Sequence, residues 1–161
     1  MKKGKRIFIL LNLFLVLGFF MYAVRQKESI LSQGKLLLFE LAPVDPRSLM
    51  QGDFMALRYK LVDTLRDMGL PKRGFIVVRP DSFNIARYVR IQKGNQPPGP
   101  DEQRIEYKAA SFEINIGASS FFFEEGNADK YAKAKYGGIK VDKLGNSVLT
   151  GLYDETRILI K

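Results

Sequence analysis

The stretch "GFIVVRPDSFNIARYVRIQ", residues 74–92, decides the fold class. Its first part, residues 74–80, has the length and the β-branched composition of a buried strand. A turn signal follows at residues 80–82, and the run 83–92 alternates between apolar and polar side chains. The alternation predicts that one face of this second strand carries Phe83, Ile85, Val89 and Ile91. The whole stretch therefore predicts an antiparallel hairpin.

Similar patterns on both sides of this hairpin predict a mainly β single domain built from antiparallel sheets. Strands are predicted over residues 35–41, 53–62 and 104–117, the last with a bulge near 109–111, and a second hairpin over 138–153. Residues 93–103 are rich in proline and glycine and predict a loop, whereas residues 156–161 form a last short strand or a tail. One short α-helix is predicted over residues 127–138, where Asn127 can cap its start and Gly137 can end it.

The chain begins with a segment suited to cross a membrane. Residues 7–24, "IFILLNLFLVLGFFMYAV", carry no charge, and at 1.5 Å per residue they span roughly 27 Å, enough to cross a bilayer core. This apolar run is longer than that of a signal peptide, and it ends in large residues rather than at a small-x-small cleavage site. It therefore predicts an uncleaved signal-anchor in the form of a single transmembrane helix.

The charges on the two sides of the anchor predict its orientation. Residues 1–6 include four basic residues, whereas Arg25 and Lys27 follow the anchor and are offset by Glu28. The positive-inside bias predicts a cytoplasmic N-terminus and a periplasmic C-terminal domain, attached to the cytoplasmic (inner) membrane. The predicted organisation has four parts: a cytoplasmic tail, 1–6, the anchor, 7–24, a connector, 25–34, and an extracytoplasmic β-rich domain, 35–161.

The composition excludes several classes of activity. The 161-residue chain has no cysteine and no histidine, which removes the thiolate ligand, the thiol nucleophile and the imidazole base. Its net charge of +9 comes mostly from residues 1–27, which hold six basic residues and no acidic one. From residue 28 onward, 20 basic residues are nearly balanced by 17 acidic ones, which argues against a nucleic-acid partner. We predict neither a cofactor nor a metal ion.

A turn interrupts the strand pattern within "SLMQGDFMALRY", residues 48–59. Gly52 suits a backbone conformation that other residues resist, and Asp53 can accept a neighbouring amide hydrogen. One interpretation is a turn that shapes a binding face. The alternative is an enzyme or a small-molecule-binding domain in which Asp45, Arg47 and Asp53 converge.

A similar Leu-x-x-Gly-Asp turn occurs in membrane-tethered serine-lysine peptidases. Their nucleophilic serine lies several residues before the leucine, where this chain has Val44, and Ser48 stands directly before Leu49. Without an activated nucleophile and its base, the peptidase reaction lacks its first step. The sequence therefore argues against a peptidase.

Two further segments leave alternatives open. Three successive phenylalanines, residues 121–123, predict either core packing or an exposed apolar patch that meets a partner or lipid. Lys130, Lys133 and Lys135 predict a solvated helix face, or a stripe that rests on anionic lipid headgroups.

The run "GDFMALRY", residues 52–59, resembles the Gly-Asp-Tyr-x-x-Leu-x-Tyr motif of the GDYXXLXY-domain family, with Phe54 where the family has tyrosine. A preceding Val-Asp-Pro-Arg and a later Glu-Gly turn are similar to the family's as well. The residues that carry the resemblance are Asp45, Pro46, Arg47, Gly52, Asp53, Leu57, Tyr59, Glu125 and Gly126.

The resemblance implies a bacterial envelope domain with an N-terminal membrane anchor, and a partner among other envelope or multi-spanning membrane proteins. Because Phe54 lacks the tyrosine hydroxyl, we do not expect the motif to use that group in catalysis. The function expected from the residues and the resemblance together is a non-enzymatic accessory subunit, held in the lipid bilayer through residues 7–24.

Overall fold

The computed structural model of the chain describes residues 3–42, 54–66, 68–92, 96–110, 114–124 and 126–161. In chain order, its elements are α1 (Lys3–Gln33), β1 (Lys35–Glu40), β2 (Phe54–Ala56), α2 (Lys60–Arg66), β3 (Arg73–Pro80), β4 (Ala86–Ile91), β5 (Gln103–Ala109), β6 (Ile114–Asn115), β7 (Ser120–Phe122), α3 (Ala128–Tyr131), β8 (Tyr136–Val141) and β9 (Ser147–Tyr153). Within these residues the strands form three antiparallel sheets, which confirms the predicted mainly β fold.

The first helix, α1, is long and apolar enough over Gly4–Gln33 to cross a membrane, and no residue of its most apolar window is buried within the protein. The helix continues without a break through the predicted connector, residues 25–34, as far as Gln33. Its last turns reach the domain, because Ile30 is buried there. The amide of Gly34 then donates to the carbonyl of Ile30 at 2.9 Å and closes the last turn.

The first sheet has the strand order β1-β8-β9 and brings the start of the domain beside its end. Its β8–β9 hairpin confirms the hairpin predicted over residues 138–153. In the turn, one carboxylate oxygen of Asp142 accepts two amide hydrogens at 2.8 and 2.9 Å, and Gly145 has a positive φ of 95°. Lys140 of β8 donates from its Nζ to the carbonyl of Leu31, so this sheet also holds the end of α1.

The second sheet has the order β4-β3-β5-β6, and its β3–β4 pair confirms the hairpin predicted over residues 74–92. The turn depends on Asp81, whose Oδ1 accepts the amide hydrogens of Phe83 and Ile85 at 2.9 and 3.0 Å. Burial raises the pKa of this carboxyl, but these two bonds and the Arg87 guanidinium outweigh it and lower the pKa below its usual value.

The predicted apolar face of β4 is wrong in two of its four positions. The register between β3 and β4 shifts by one residue, because Val89 is the extra residue of a β-bulge. Val89 is therefore exposed, and Phe83 is exposed in the turn before the strand. Ile85 is buried, and Ile91 packs against the core as predicted.

The single strand predicted over residues 104–117 is also wrong. The chain reverses direction instead, because β5 and β6 pair antiparallel, with Lys108 opposite Asn115 and Ala109 opposite Ile114. A bulge and a strand reversal both change the facing of alternate side chains, so the sequence pattern suits either. The predicted bulge near residues 109–111 is thus the point where β5 ends.

The strand predicted over residues 53–62 is too long. It ends at Ala56, where β2 stops, and α2 begins at Lys60. Val62 and Leu65, three residues apart, are the buried residues of α2, as the helical period requires. A short strand followed by a short helix therefore produced an apolar pattern that one longer strand also fits.

The helix predicted over residues 127–138 is reduced to the single turn of α3, and Asn127 makes no side-chain capping bond. The residues after this turn enter β8, where Gly137 and Gly138 are buried instead of ending a helix. A Cβ atom on Gly138 would overlap the ring of Tyr153. The alanines and lysines that favour a helix lie within residues 128–135, before β8, and pairing of β8 with strands on both sides prevents a helix from continuing to residue 138.

The predicted loop contains no helix or strand over its described residues 96–102. Glu102 fastens it to the second sheet, because its carboxylate accepts the Gly99 amide at 2.9 Å and lies 2.8 Å from the Arg90 guanidinium and 3.3 Å from that of Arg79. The Gly99 hydrogen bond and these two cations hold the pKa of Glu102 below its usual value.

The C-terminal tail attaches to the edge of β9. Leu159 forms an isolated bridge with Tyr153, and the amide of Ile160 donates to the carbonyl of Leu152 at 2.9 Å. Residues 156–161 are thus a tail with one strand-like contact.

The core is one cluster that joins both larger sheets and α2. Apart from tyrosines, no described residue with a polar or charged side chain is buried. The largest fully buried side chains are Tyr107, Phe39, Ile30, Leu37, Leu65 and Ile76. Ile30 belongs to α1 and lies outside that cluster, so the end of this helix adds a buried side chain of its own.

Candidate functional site

Much of the predicted site lies outside the described residues. This applies to five motif positions and to the glutamate of the Glu-Gly turn, namely Asp45, Pro46, Arg47, Gly52, Asp53 and Glu125. The enzyme or small-molecule site that Asp45, Arg47 and Asp53 would form therefore stays a prediction. Gly126, the other half of the Glu-Gly turn, has a positive φ of 85°, which glycine adopts without strain.

The described part of the motif begins in β2 and continues into a buried segment. The backbone of Phe54 pairs with that of Phe122 in β7. Beyond the strand, Leu57 is buried, and its amide donates to the carbonyl of Ser119 at 2.8 Å. The motif is therefore bonded both to β7 and to the residue just before it.

Tyr59 is the most deeply buried described residue of the motif, with 2 % of its surface exposed. Its hydroxyl donates to the carbonyl of Ala118 at 3.0 Å, and its ring meets Phe39 edge to face, with the centroids 6.0 Å apart. Gly137 lies against the same ring, where a Cβ atom would come within 3.0 Å of a ring carbon. Burial raises the pKa of Tyr59 above its usual range, so the hydroxyl is a neutral donor.

The backbone around Tyr59 also bonds to the end of β1. Tyr59 forms an antiparallel bridge with Leu41, and the carbonyl of Arg58 accepts the amide hydrogen of Ala42 at 2.7 Å. The motif thus ties β1, β2 and residues 118–119 together. These packing and backbone contacts are those of a structural element.

A groove of about 170 Å³ lies beside the motif, and its charged lining residues are Arg58 and Arg66. Arg58 pairs with Asp63 at 2.8 Å, but both side chains are largely exposed, so the pair adds little stability. No carboxylate is among the described residues that line the groove. Nor do three carboxylates of the described part of the chain lie close enough together to hold a metal ion. The described lining residues of the groove therefore offer no general acid–base pair.

Residues 121–123 were predicted either to pack in the core or to form an exposed apolar patch, and the structure shows some of each. Phe121 and Phe123 are half-buried, and each of their ring centroids lies 5.1 Å from that of Tyr131. Phe122 points the other way along β7 and is 75 % exposed. The segment is thus partly core packing and partly exposed apolar surface.

The predicted lysine stripe is not one face of a helix. Only Lys130 belongs to α3, whereas Lys133 lies in the turn after it and Lys135 just before β8. All three are exposed, and the Nζ of Lys130 lies 5.7 Å from the ring centroid of Tyr131.

The partners of the motif could not have been identified from the sequence. Ala118 and Ser119 offer backbone carbonyls, which no side-chain pattern marks, and Ala118 is 59 positions away from Tyr59. In the sequence, Phe39 is one apolar residue of a predicted strand, and nothing indicates that it contacts Tyr59. The pairing of β2 with β7 creates these contacts, and no local signal predicts that pairing.

Comparison with known proteins adds one finding. No curated protein and no solved structure matches the chain. A family model described as "GDYXXLXY protein" matches residues 16–152 of the 161. This match runs from within α1 almost to the end of β9 and confirms the resemblance seen in the motif. Because the match covers most of its length, the chain belongs to the GDYXXLXY protein family.

Proposed function

We propose that this protein is a non-enzymatic, single-pass membrane protein whose β domain binds or stabilises another envelope or multi-spanning membrane protein. The observation that carries the proposal is the continuity of α1, which runs from the apolar segment into the domain without a break. A helix that exposes apolar side chains on every side is stable in lipid, where its backbone satisfies its own hydrogen bonds.

The charge bias around the apolar segment supports a cytoplasmic N-terminus and a periplasmic domain. Four basic residues precede the segment within residues 1–6, and the basic residues just after it are partly offset by Glu28. In bacterial inner-membrane proteins this asymmetry favours the cytoplasm for the more basic side.

The short distance between membrane and domain supports an accessory role. Ile30 lies six residues beyond Val24, a rise of about 9 Å along a helix. Ile30 is buried in the domain, so the domain begins close to the lipid surface. A domain held there meets other membrane proteins at a high effective concentration.

The contacts of the motif support a non-enzymatic role. Leu57 and Tyr59 are buried and serve packing and backbone hydrogen bonds. Such a motif stabilises a surface that a partner recognises, and it requires no reactive side chain.

Affinity purification of the tagged full-length chain from detergent-solubilised membranes, followed by mass spectrometry, tests the proposal. We expect a multi-spanning or envelope protein to be recovered with the bait at native expression. A matched control replaces residues 7–24 with an unrelated apolar helix, which separates recognition by the domain from recognition by the anchor. Recovery of the bait alone would contradict the accessory role.

Protease added to spheroplasts tests the orientation. We expect the domain to be digested together with a periplasmic control protein. Survival of the domain while that control is degraded would show that the orientation is reversed.

A further inference from the structure

A polar cleft of about 220 Å³ lies between α1 and the strands β5, β6 and β9. The side chains that line it include Lys27, Glu106, Lys108, Asn115, Asn146 and Ser147. They come from four separate segments of the chain, so the tertiary structure brings them together. Lys27 belongs to the anchor helix, and the cleft therefore lies where the anchor meets the domain.

The described lining of the cleft is positive overall, because it holds two lysines and one carboxylate. Within the described ranges, the ion pairs involve neither Lys27 nor Lys108, and they do not involve Glu106. Among the described lining residues, the two ammonium groups and the one carboxylate give a net charge of +1. An anion with a single negative charge would neutralise it.

Two side-chain amides in the lining, those of Asn115 and Asn146, are held in fixed orientations. The Oδ1 of Asn115 accepts the amide hydrogen of Gly117 at 2.8 Å, which leaves the Nδ2 group of Asn115 as a donor. Ser147, in contrast, donates its hydroxyl to the carbonyl of Ile116 at 3.2 Å. Asn146 donates one Nδ2 hydrogen to Asp142 at 2.8 Å. Among the described lining side chains, the donors that remain for a ligand are thus the two lysines, Asn115 and the second Nδ2 hydrogen of Asn146.

The position of Lys27 along α1 fixes the depth of the cleft relative to a bilayer. Lys27 lies three residues beyond Val24, the last residue of the apolar segment, which is a rise of about 4.5 Å. The headgroup layer extends about 5–7 Å beyond the hydrocarbon core on each side. Lys27 therefore reaches the depth of the lipid phosphates.

We infer that this cleft binds the phosphate of an anionic glycerophospholipid, held by the ammonium groups of Lys27 and Lys108. The inference rests on the proposed function, because it requires α1 to span the bilayer. A lipid with one uncompensated phosphodiester charge matches the net charge of the lining, whereas a zwitterionic lipid does not. The bound headgroup would join the anchor helix to β5 at the membrane surface.

Native mass spectrometry of the full-length chain in detergent, with phosphatidylglycerol and phosphatidylcholine added in equal amounts, tests this. We expect the wild-type chain to retain phosphatidylglycerol preferentially. The double variant Lys27→Gln/Lys108→Gln should weaken this retention on the order of tenfold. A matched variant, Lys72→Gln/Lys161→Gln, removes the same charge at exposed positions outside the cleft and should retain the lipid.

Three results would overturn the inference: equal retention of both lipids by the wild-type chain, equal losses in the two double variants, or displacement of the lipid by inorganic phosphate alone. If the cleft variant unfolds in a thermal scan, Glu106→Gln decides the question. Removal of this carboxylate should raise the retention of phosphatidylglycerol, and an unchanged or lower retention would count against the site.

Carbonate washing of membranes separates failure of this inference from failure of the proposed function. A chain that the wash releases is not membrane-spanning, so both fail together. If the chain stays in the membrane but shows no lipid preference, only the inference about the headgroup site fails, and the proposed function stands.

Discussion

The hydroxyl of Tyr59 donates to the carbonyl oxygen of Ala118 at 3.0 Å, across 59 positions of the chain. This bond joins the family motif to the segment that precedes β7. Tyr59→Phe removes the donor and keeps the ring, so we expect the free energy of unfolding to fall by about 0.5–1.5 kcal/mol. Urea unfolding of the detergent-solubilised chain, followed by circular dichroism, measures the loss.

Tyr136→Phe is the matched control for this substitution. Tyr136 is half-buried in β8, and its hydroxyl makes no hydrogen bond among the described residues. We expect its unfolding midpoint to stay close to that of the wild-type chain. Equal losses in the two variants would mean that the Ala118 bond contributes nothing specific.

Ile30 connects α1 to the domain, since only 2 % of its surface is exposed. Ile30→Ala leaves a cavity at this junction and should lower the free energy of unfolding of the domain by about 2–5 kcal/mol. The neighbouring Leu31 is 42 % exposed, so Leu31→Ala should cost much less. If both variants lose the same stability in urea, α1 does not pack on the domain as described.

Gly138 makes room for the ring of Tyr153 in the neighbouring strand. Gly138→Ala forces the ring or the backbone to shift, and we expect it to destabilise the domain by about 1–3 kcal/mol. Gly18→Ala in α1 adds the same methyl group where no atom lies within 4 Å and serves as the control. Thermal unfolding compares the two, and a stable Gly138→Ala variant would contradict the close packing of β8 on β9.

Glu102 should make the stability of the loop before β5 depend on pH. Its pKa is lower in the folded state than in the unfolded chain, where it is about 4.3. Its contribution is therefore complete above about pH 4.3 and is lost as the pH falls toward the folded-state pKa. The protection factors of the Gln96, Gly99, Asp101 and Glu102 amides, which correct for the intrinsic pH dependence of exchange, should fall on acidification in the wild-type chain.

The variant Glu102→Gln should already exchange faster at neutral pH and should respond less to acid. Asp101→Asn, in the same loop, serves as the control, because the Asp101 carboxylate makes no hydrogen bond or ion pair with the described residues. A wild-type-like profile for Glu102→Gln would show that its contacts to Gly99, Arg90 and Arg79 do not hold the loop.

The parts of the fold predicted correctly are those whose signals are local. In each hairpin, alternation and turn residues occur within one short stretch, as around Asp81 and Asp142. The apolar segment in α1 likewise needs no tertiary context. The reduction of α3 could not be predicted, because β8 pairs with β1, which lies about a hundred positions earlier, and this long-range pairing outweighs local propensity.

The candidate site was predicted in part for the same reason. The motif identifies Leu57 and Tyr59 by type and spacing, but their structural role depends on Phe39, Ala118 and Ser119, which the fold brings to them. The polar cleft beside α1 could not be predicted from the sequence. Lys27, Glu106 and Lys108 are ordinary charged residues in the sequence, and only the approach of α1 to β5 makes them neighbours.

Because α1 continues without a break into the domain, the helix and the domain are expected to move together as one rigid unit. Membrane-spanning helices are tilted by about 20° on average from the bilayer normal. Since the last turns of α1 are packed and hydrogen-bonded to β8, any such tilt must lean the whole domain by the same angle. If α1 spans the bilayer as proposed, the tilt of the helix would therefore set the direction in which the domain points.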